Sequence, residues 1–310
     1  TIAGAEFGLY AKEDIKAGGK VIVKADEQLC TAVTGEDGTA IFEQNLPFGS
    51  YYIKELQAPD GFVSSDEIIE VTVSYQGQDV EVVRLKEIFK NQPTTVEFRK
   101  SDLTTGVELD GATLTVLDKD GNEIDKWTSV KGEPHIIKRL HVGETYILRE
   151  EFAPYGYLKA EEVEFTITDT AEIQKVEMKD DVPIGRIIIN KKGEFLSEVS
   201  WNDMVAGAMD SIWGYVTGSL KDVTFEIYAR EDIKAADGES DDYYKKDELV
   251  ATIKTDELGI ARTDDLPLGK YYVVEKETAD GFVLDGEPRD IDLTYRDQDT
   301  PVVTFDSEWQ

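Results

Sequence analysis

The chain has one cysteine, Cys30, in 310 residues, so no internal disulfide can form. Cys30 lies in an alternating apolar run and reads as a core residue rather than a reactive thiol. Histidine is nearly absent: His135 and His141 lack the Cys, His or carboxylate company of a metal site, and His135 in EPHIIK reads as a strand residue. Neither metal nor cofactor is expected. No serine sits in a G-x-S-x-G setting, and no glycine-rich phosphate loop is present. The acids are too numerous to single out a glycosidase dyad. These absences leave little support for a turnover enzyme. No run is long and apolar enough to span a bilayer. Basic residues are scarce, 33 against 65 acidic, a net charge of −32. Nucleic acid and anionic membranes would both be repelled, and the excess acid reads as a solubilising surface. Thr1 opens no signal peptide, Gln310 closes no sorting signal, and the chain starts almost directly in a strand-like run. An excised fragment is the expectation.

What is present is repetition. EFGLYAKED at 6–14 returns as FEIYARED at 225–232, followed in both by IKA. GTAIFEQNLPFGSYYIKE at 38–55 returns as GIARTDDLPLGKYYVVEK at 259–276, and GATLTVLDKDGNEI with RLHVGETYILRE forms a looser copy between them. Three units follow, with boundaries near Asn91 and Pro183: 1–91, 92–182 and 183–310. Alternating runs broken by GEDG, DKDG and ADG read as short strands joined by turns. The expected class is all-β, three tandem sandwiches or partly closed barrels. DKDG at 118–121 has a faint calcium-loop look but no downstream ligands, so it reads as a hairpin turn. One stretch departs from the β pattern. Between 200 and 219, Trp201, Met204, Val205, Ala208, Met209, Ile212, Trp213 and Val216 fall on one helical face. An amphipathic helix inserted in the third unit is predicted, packed on its own unit or, with Trp201 and Trp213 exposed, forming a partner contact.

In a strand, residues two apart share a face. YYIKELQAPDGF, TYILREEFAPYGY and YYVVEKETADGF therefore place Glu55, Glu150 and Glu275 on the same face as apolar neighbours. Burying an unpartnered carboxylate costs several kcal/mol. Each needs a partner or a raised pKa. The same test turns Lys100 inward with Val96 and Phe98, and Lys191 inward with Ile187 and Ile189. At the unit ends Asn91 points with Phe89, Asp180 with Met178, and Ser307 with Phe305. A lysine desolvated in an apolar core becomes a nucleophile that can attack an Asn or Asp side-chain carbonyl. A protonated glutamate can polarise that carbonyl and shuttle protons. The product is an amide tying the first strand of a unit to its last; the alternative is a buried, hydrogen-bonded pair with no covalent closure.

The three YYIKELQAPDGF-like segments resemble the E-box of Gram-positive pilins and surface adhesins. With VEFRKSD, ELDGATLTVLD and EMKDD in the second unit, the chain resembles three tandem SpaA-type, collagen-adhesin-B-like domains, over nearly everything outside 194–219. The resemblance implies a transthyretin-like (prealbumin-like) sandwich, autocatalytic Lys–Asn or Lys–Asp isopeptide bonds, secretion and cell-wall anchoring. Carried over residue by residue, it implies Lys100 as nucleophile, Glu150 as catalytic carboxylate and Asp180 as acceptor, with Asp181 as alternate acceptor. In the third unit Lys191 (Lys192 alternate) and Glu275 match. The acceptor position holds Ser307, which has no carbonyl, and Asp306 has the wrong parity, so no bond is expected there. The first unit has Glu55 and Asn91, and its lysine would precede Thr1. Two roles follow: a structural stalk segment contacting neighbouring domains of its own surface protein, or an adhesin module gripping a host matrix protein or glycan. No YPK-like pilin lysine motif is found.

Overall fold

The computed structural model describes residues 2–201 and 211–310, with side chains described outside 200–212. All of its regular structure is β. In the first domain, strands β1 (Glu6–Ala11), β2 (Ile15–Ala17), β3 (Lys20–Val23), β4 (Gln28–Val33), β5 (Gly49–Gln57) and β6 (Ile68–Val73) build a four-stranded sheet, β4-β1-β5-β6, and a small β2–β3 hairpin. Leu9, Ala11, Ile15, Tyr51 and Val71 are buried together on it. Segments 39–47 and 74–92 carry no strand.

The second domain has two sheets. Strands β7 (Thr95–Asp102), β8 (Thr113–Leu117), β9 (Glu123–Thr128), β10 (His135–Lys138), β11 (Thr145–Phe152), β12 (Val163–Thr166) and β13 (Gln174–Asp180) form β12-β11-β8-β9 facing β10-β7-β13. Val96, Phe98, Leu114, Val116, Leu148 and Met178 fill the space between them. The alternation seen in the sequence is why. Val96, Phe98 and Lys100 are buried, while Glu97 and Arg99 lie half-buried on the other face. DKDG closes the β8–β9 hairpin, with Asp118 accepting the amides of Asp120 and Asn122.

The third domain repeats the plan. Strands β14 (Ile184–Trp201), β15 (Ser211–Ser219), β16 (Thr224–Ala229), β17 (Leu249–Lys254), β18 (Ile260–Arg262), β19 (Leu266–Pro267), β20 (Gly269–Glu277), β21 (Arg289–Leu293) and β22 (Val302–Trp309) give a β17-β16-β20-β21 sheet. Opposite it, β14 pairs with β18, β19 and β22. In both domains the first strand lies parallel to the last, β7 with β13 and β14 with β22.

The predicted helix over 200–219 is not what forms. β14 runs on past its sandwich, and its far half pairs antiparallel with β15 from Lys192–Ser219 to Trp201–Ser211. Ile212, Trp213, Tyr215, Val216 and Thr217 are β-branched or aromatic and suit a pleated ribbon. Pairing with Glu194–Val199, which no helical periodicity can reveal, supplies the backbone hydrogen bonds. Residues 202–210, with Met204, Val205, Ala208 and Met209, and the Trp201 side chain lie outside the description.

The domains meet through the loop that follows each E-box strand. Gly61 has φ +78°, and a Cβ there would sit 2.5 Å from the Arg139 carbonyl oxygen. This lets its own carbonyl accept the Thr94 amide at 3.0 Å. Arg139 lies over the Phe62 ring, and Asp169 accepts the Ser64 amide. At the second joint Gln298 accepts the Ala153 amide at 2.8 Å, its carbonyl takes the Lys159 amide, and Tyr295 donates to the Tyr157 carbonyl.

Candidate functional site: a buried lysine between two carboxylates

The E-box strands of the first and third domains are pinned alike by their first tyrosine. Tyr51 and Tyr271 each donate to the carbonyl of a proline four residues back, Pro47 and Pro267. Two and four residues on, Ile53 and Glu55, or Val273 and Glu275, repeat the same facing. In the third domain Glu275 is thereby aimed across the sandwich at the sheet holding β14 and β22.

In the second domain three charged groups converge there. Lys100 Nζ lies 2.9 Å from Glu150 Oε1 and also contacts Asp180 Oδ1. All three side chains are fully buried. Lys100 comes from β7, Asp180 from the adjacent β13, and Glu150 from β11 in the opposing sheet. Met178 is in register with Lys100, and Asp180 lies two residues further, opposite Asp102. Glu150 Oε2 accepts the Ala160 amide at 2.7 Å. Apart from the Lys100 ammonium beside it, Glu150 Oε1 has no hydrogen-bond partner, and Asp180 Oδ2 has none. Burial pushes the Asp180 carboxyl up to about 7, against the pull of Lys100, and the neighbouring Glu150 adds to the rise. Asp181 is exposed, its Oδ1 turned to the Val182 amide, and stands outside the cluster.

Beside the cluster Tyr157 donates to Asp102 at 2.8 Å, both buried, and burial with the Asp102 charge raises the phenol. Sequence parity missed this pair. β7 buries three consecutive residues, Lys100, Ser101 and Asp102, so alternation fails at its end. The one signal was the aromatic closing APYGY.

The first domain holds a different remainder. Asn91 Nδ2 donates to Glu55 Oε1 at 2.7 Å, and the Ser65 amide to Oε2 at 3.0 Å. Among the described residues no lysine pairs with Glu55. In the third domain Lys191 Nζ lies 3.0 Å from Glu275 Oε2, with both side chains buried. Lys192 turns outward to Glu308. Asp306 accepts from Asn190, and Ser307 accepts the Trp309 indole N–H. The β14–β22 register sets Ser307 beside Ile189 and Trp309 beside Lys191. Ser307 is therefore not the counterpart of Asp180, which lies two residues beyond the position paired with its lysine.

His135 stacks on Trp127 and contacts Asp125 at 2.8 Å, and His141 is exposed. Trp213 is 53% exposed and Tyr215 62% exposed on one face of the β14–β15 ribbon.

Three tandem prealbumin-like domains, each with an E-box glutamate, define the class. The SpaA prealbumin-like fold domain matches the sequence three times, at residues 1–87, 94–182 and 215–309, and the chain belongs to that family. No curated protein matches. Among solved structures, the Bacillus anthracis TIE protein is 23% identical with a TM-score of 0.56, covering 99% of this chain and 48% of its own. The chain thus spans about half the length of that protein. BcpA, the major pilin subunit of Bacillus cereus, is 17% identical over 99% of this chain and 95% of its own, with a TM-score of 0.41. A streptococcal ancillary pilin is 13% identical over 99% and 93%, with a TM-score of 0.34.

Proposed function

We propose that the chain is a stalk segment of a cell-wall-anchored surface protein or pilus. Its second domain is stiffened by an amide between Lys100 Nζ and Asp180 Cγ, and its joints fall near Asn91 and Pro183. The observation that carries this reading is the fully buried contact of Lys100 with both Glu150 and Asp180 on neighbouring parallel strands. The raised Asp180 pKa favours the protonated acceptor, the form whose carbonyl is electrophilic. Glu150 takes a proton from the amine and returns one to the departing hydroxyl. One C–N bond forms, one C–O bond breaks, and one water leaves. The protein acts once on itself and does not turn over.

Intact-mass measurement tests this. The fragment carrying residues 94–182 is expected one water below its sequence mass, and Glu150→Ala is expected to restore that water. A native fragment at full mass overturns the covalent reading.

An adhesin module for a host protein or glycan is favoured by one observation, the exposed Trp213–Tyr215 face. Ligand binding lost on Trp213→Ala would place the contact there; undiminished binding would exclude that face.

A further inference from the structure

The end of β7 carries a second buried polar pair, and it borders the strand that supplies Asp180. Asp102 stands two residues past Lys100 and directly opposite Asp180 in the parallel β7–β13 register. It is 5% exposed, and Tyr157 is 1% exposed. Asp102 Oδ2 accepts the Tyr157 hydroxyl at 2.8 Å, and Oδ1 accepts the Thr104 and Thr105 amides, both at 2.7 Å. A buried carboxylate is costly unless its oxygens are satisfied, and three neutral donors satisfy this one.

The pair closes a ring of backbone contacts around the acceptor. The Leu103 amide, next to Asp102, donates to the Asp180 carbonyl at 2.8 Å. The Leu158 amide, next to Tyr157, donates to the Asp181 carbonyl at 2.9 Å. The main chain at the acceptor is therefore gripped by two segments, the turn after β7 and the loop after β11. The Tyr157–Asp102 hydrogen bond ties those segments to each other. Glu150 Oε2 holds the far end of the same loop through the Ala160 amide at 2.7 Å.

The third domain shows the same two positions without the polar pair. Gly193 stands two residues past Lys191, and a Cβ there would lie 2.5 Å from the ring of Phe282, which closes ADGF as Tyr157 closes APYGY. There β14 runs on into the ribbon instead of turning. The first domain also ends its E-box on a phenylalanine, Phe62. The hydroxyl–carboxylate pair thus belongs to the domain that holds the Lys100–Glu150–Asp180 cluster.

We propose that Asp102 and Tyr157 are positioning residues for amide formation in the second domain, fixing the end of β7 against the E-box loop so that Asp180 is held at Lys100. This rests on the Lys100–Asp180 amide proposed above. The step itself is unchanged: one C–N bond forms, one C–O bond breaks and one water leaves. Neither residue moves a proton; both act through the placement of the Asp180 main chain. Reaction between held groups is steep in geometry, and a misplacement of about 1 Å can cost on the order of 100-fold.

The test follows linkage in the whole chain during cell-free synthesis. Samples are quenched in acid denaturant and digested, and the linked Lys100–Asp180 peptide is quantified by mass against the unlinked peptides. Tyr157→Phe, which keeps the ring and removes the hydroxyl, and Asp102→Ala are each expected to slow linkage at least about tenfold. Asp102→Asn keeps an oxygen for the two amides and an N–H for the Tyr157 oxygen, so it is expected to stay within about twofold of the native rate. Tyr295→Phe removes the third domain's bond to the Tyr157 carbonyl but leaves the pair intact, and is expected to link at the native rate. The pH profile of linkage in Tyr157→Phe should keep the native shape at lower amplitude. A native rate in Tyr157→Phe, a shifted profile, or an Asp102→Asn chain as slow as Asp102→Ala overturns the proposal. So does an equal slowing by Tyr295→Phe, which would assign the effect to the joint. Folding is read separately in the unlinked Glu150→Ala chain, where adding Tyr157→Phe is expected to leave amide protection across β8 and β11 unchanged; lost protection there would make the pair merely structural. A native chain that never links ends the covalent reading and this one with it, whereas a linked native chain with an unaffected Tyr157→Phe ends the positioning claim alone.

Discussion

At the scale of the residue, the informative feature is charge on the wrong side of a strand. Lys100, Glu150 and Asp180 are buried at a cost that only mutual contact offsets, and removing one partner from such a group typically destabilises by about 3–5 kcal/mol. Asp180 also makes stability depend on pH in a definite direction. Its folded pKa, about 7, lies above the ordinary 3.8, so the folded state holds the proton more tightly than the unfolded one. Below the ordinary value both states are protonated and there is no penalty. Between the two values the unfolded chain ionises first, and stability falls until pH passes the folded value. In a Glu150→Ala chain, expected to remain unlinked, burial still raises Asp180 but the Glu150 contribution is gone, so thermal midpoints should drop as pH rises above about 4 relative to Glu150→Ala/Asp180→Asn and level off at or below about pH 7. A difference independent of pH would contradict a protonated buried Asp180. The three residues were legible in sequence because period-2 alternation reports facing directly. Ser307 was misplaced because facing says nothing of how far along the partner strand a residue falls.

At the scale of the element, the β14–β15 ribbon is where a local pattern misled. Residues 200–219 carry apolar side chains at helical spacing, yet Lys192–Trp201 offered a strand to pair with, and that pairing is non-local. An isolated two-stranded ribbon is marginal in water. This one is anchored where Phe195 packs edge-on against Phe282, ring centroids 5.2 Å apart, and over Gly218, where a Cβ would lie 2.9 Å from the Phe195 ring. Phe195→Ala should speed amide hydrogen exchange across 192–199 and 213–219 while leaving β16 and β20 protected. Unchanged ribbon exchange would show that the anchor lies elsewhere.

At the scale of the whole molecule, parallel first and last strands set how a pull on the chain is borne. Force enters at the start of β7 and leaves at the end of β13, which loads their shared hydrogen bonds in shear. The proposed Lys100–Asp180 amide would close that path covalently. Single-molecule pulling is expected to find the second domain unable to extend by the 79 residues between its linked positions, and able to do so as Glu150→Ala; full extension of the native domain would remove the mechanical argument. The joints matter equally for a stalk. Gly61→Ala would force a side chain into the Arg139 backbone at a φ that costs a non-glycine residue about 1 kcal/mol or more. Small-angle scattering should then report a broader spread of end-to-end distances, with each domain still folded.

The sequence by itself determined the three repeats, their β class and the inward-facing Lys100, Glu150, Asp180, Lys191 and Glu275, because repetition and alternation are written in local spacing. Tertiary structure alone decided that Asp180 and not Asp181 meets Lys100, that Trp309 rather than Ser307 stands beside Lys191, and that 192–219 makes a ribbon. Those outcomes depend on strand register and on pairing between distant segments, and a period of two fixes the face of a strand without fixing its partner or its position along it.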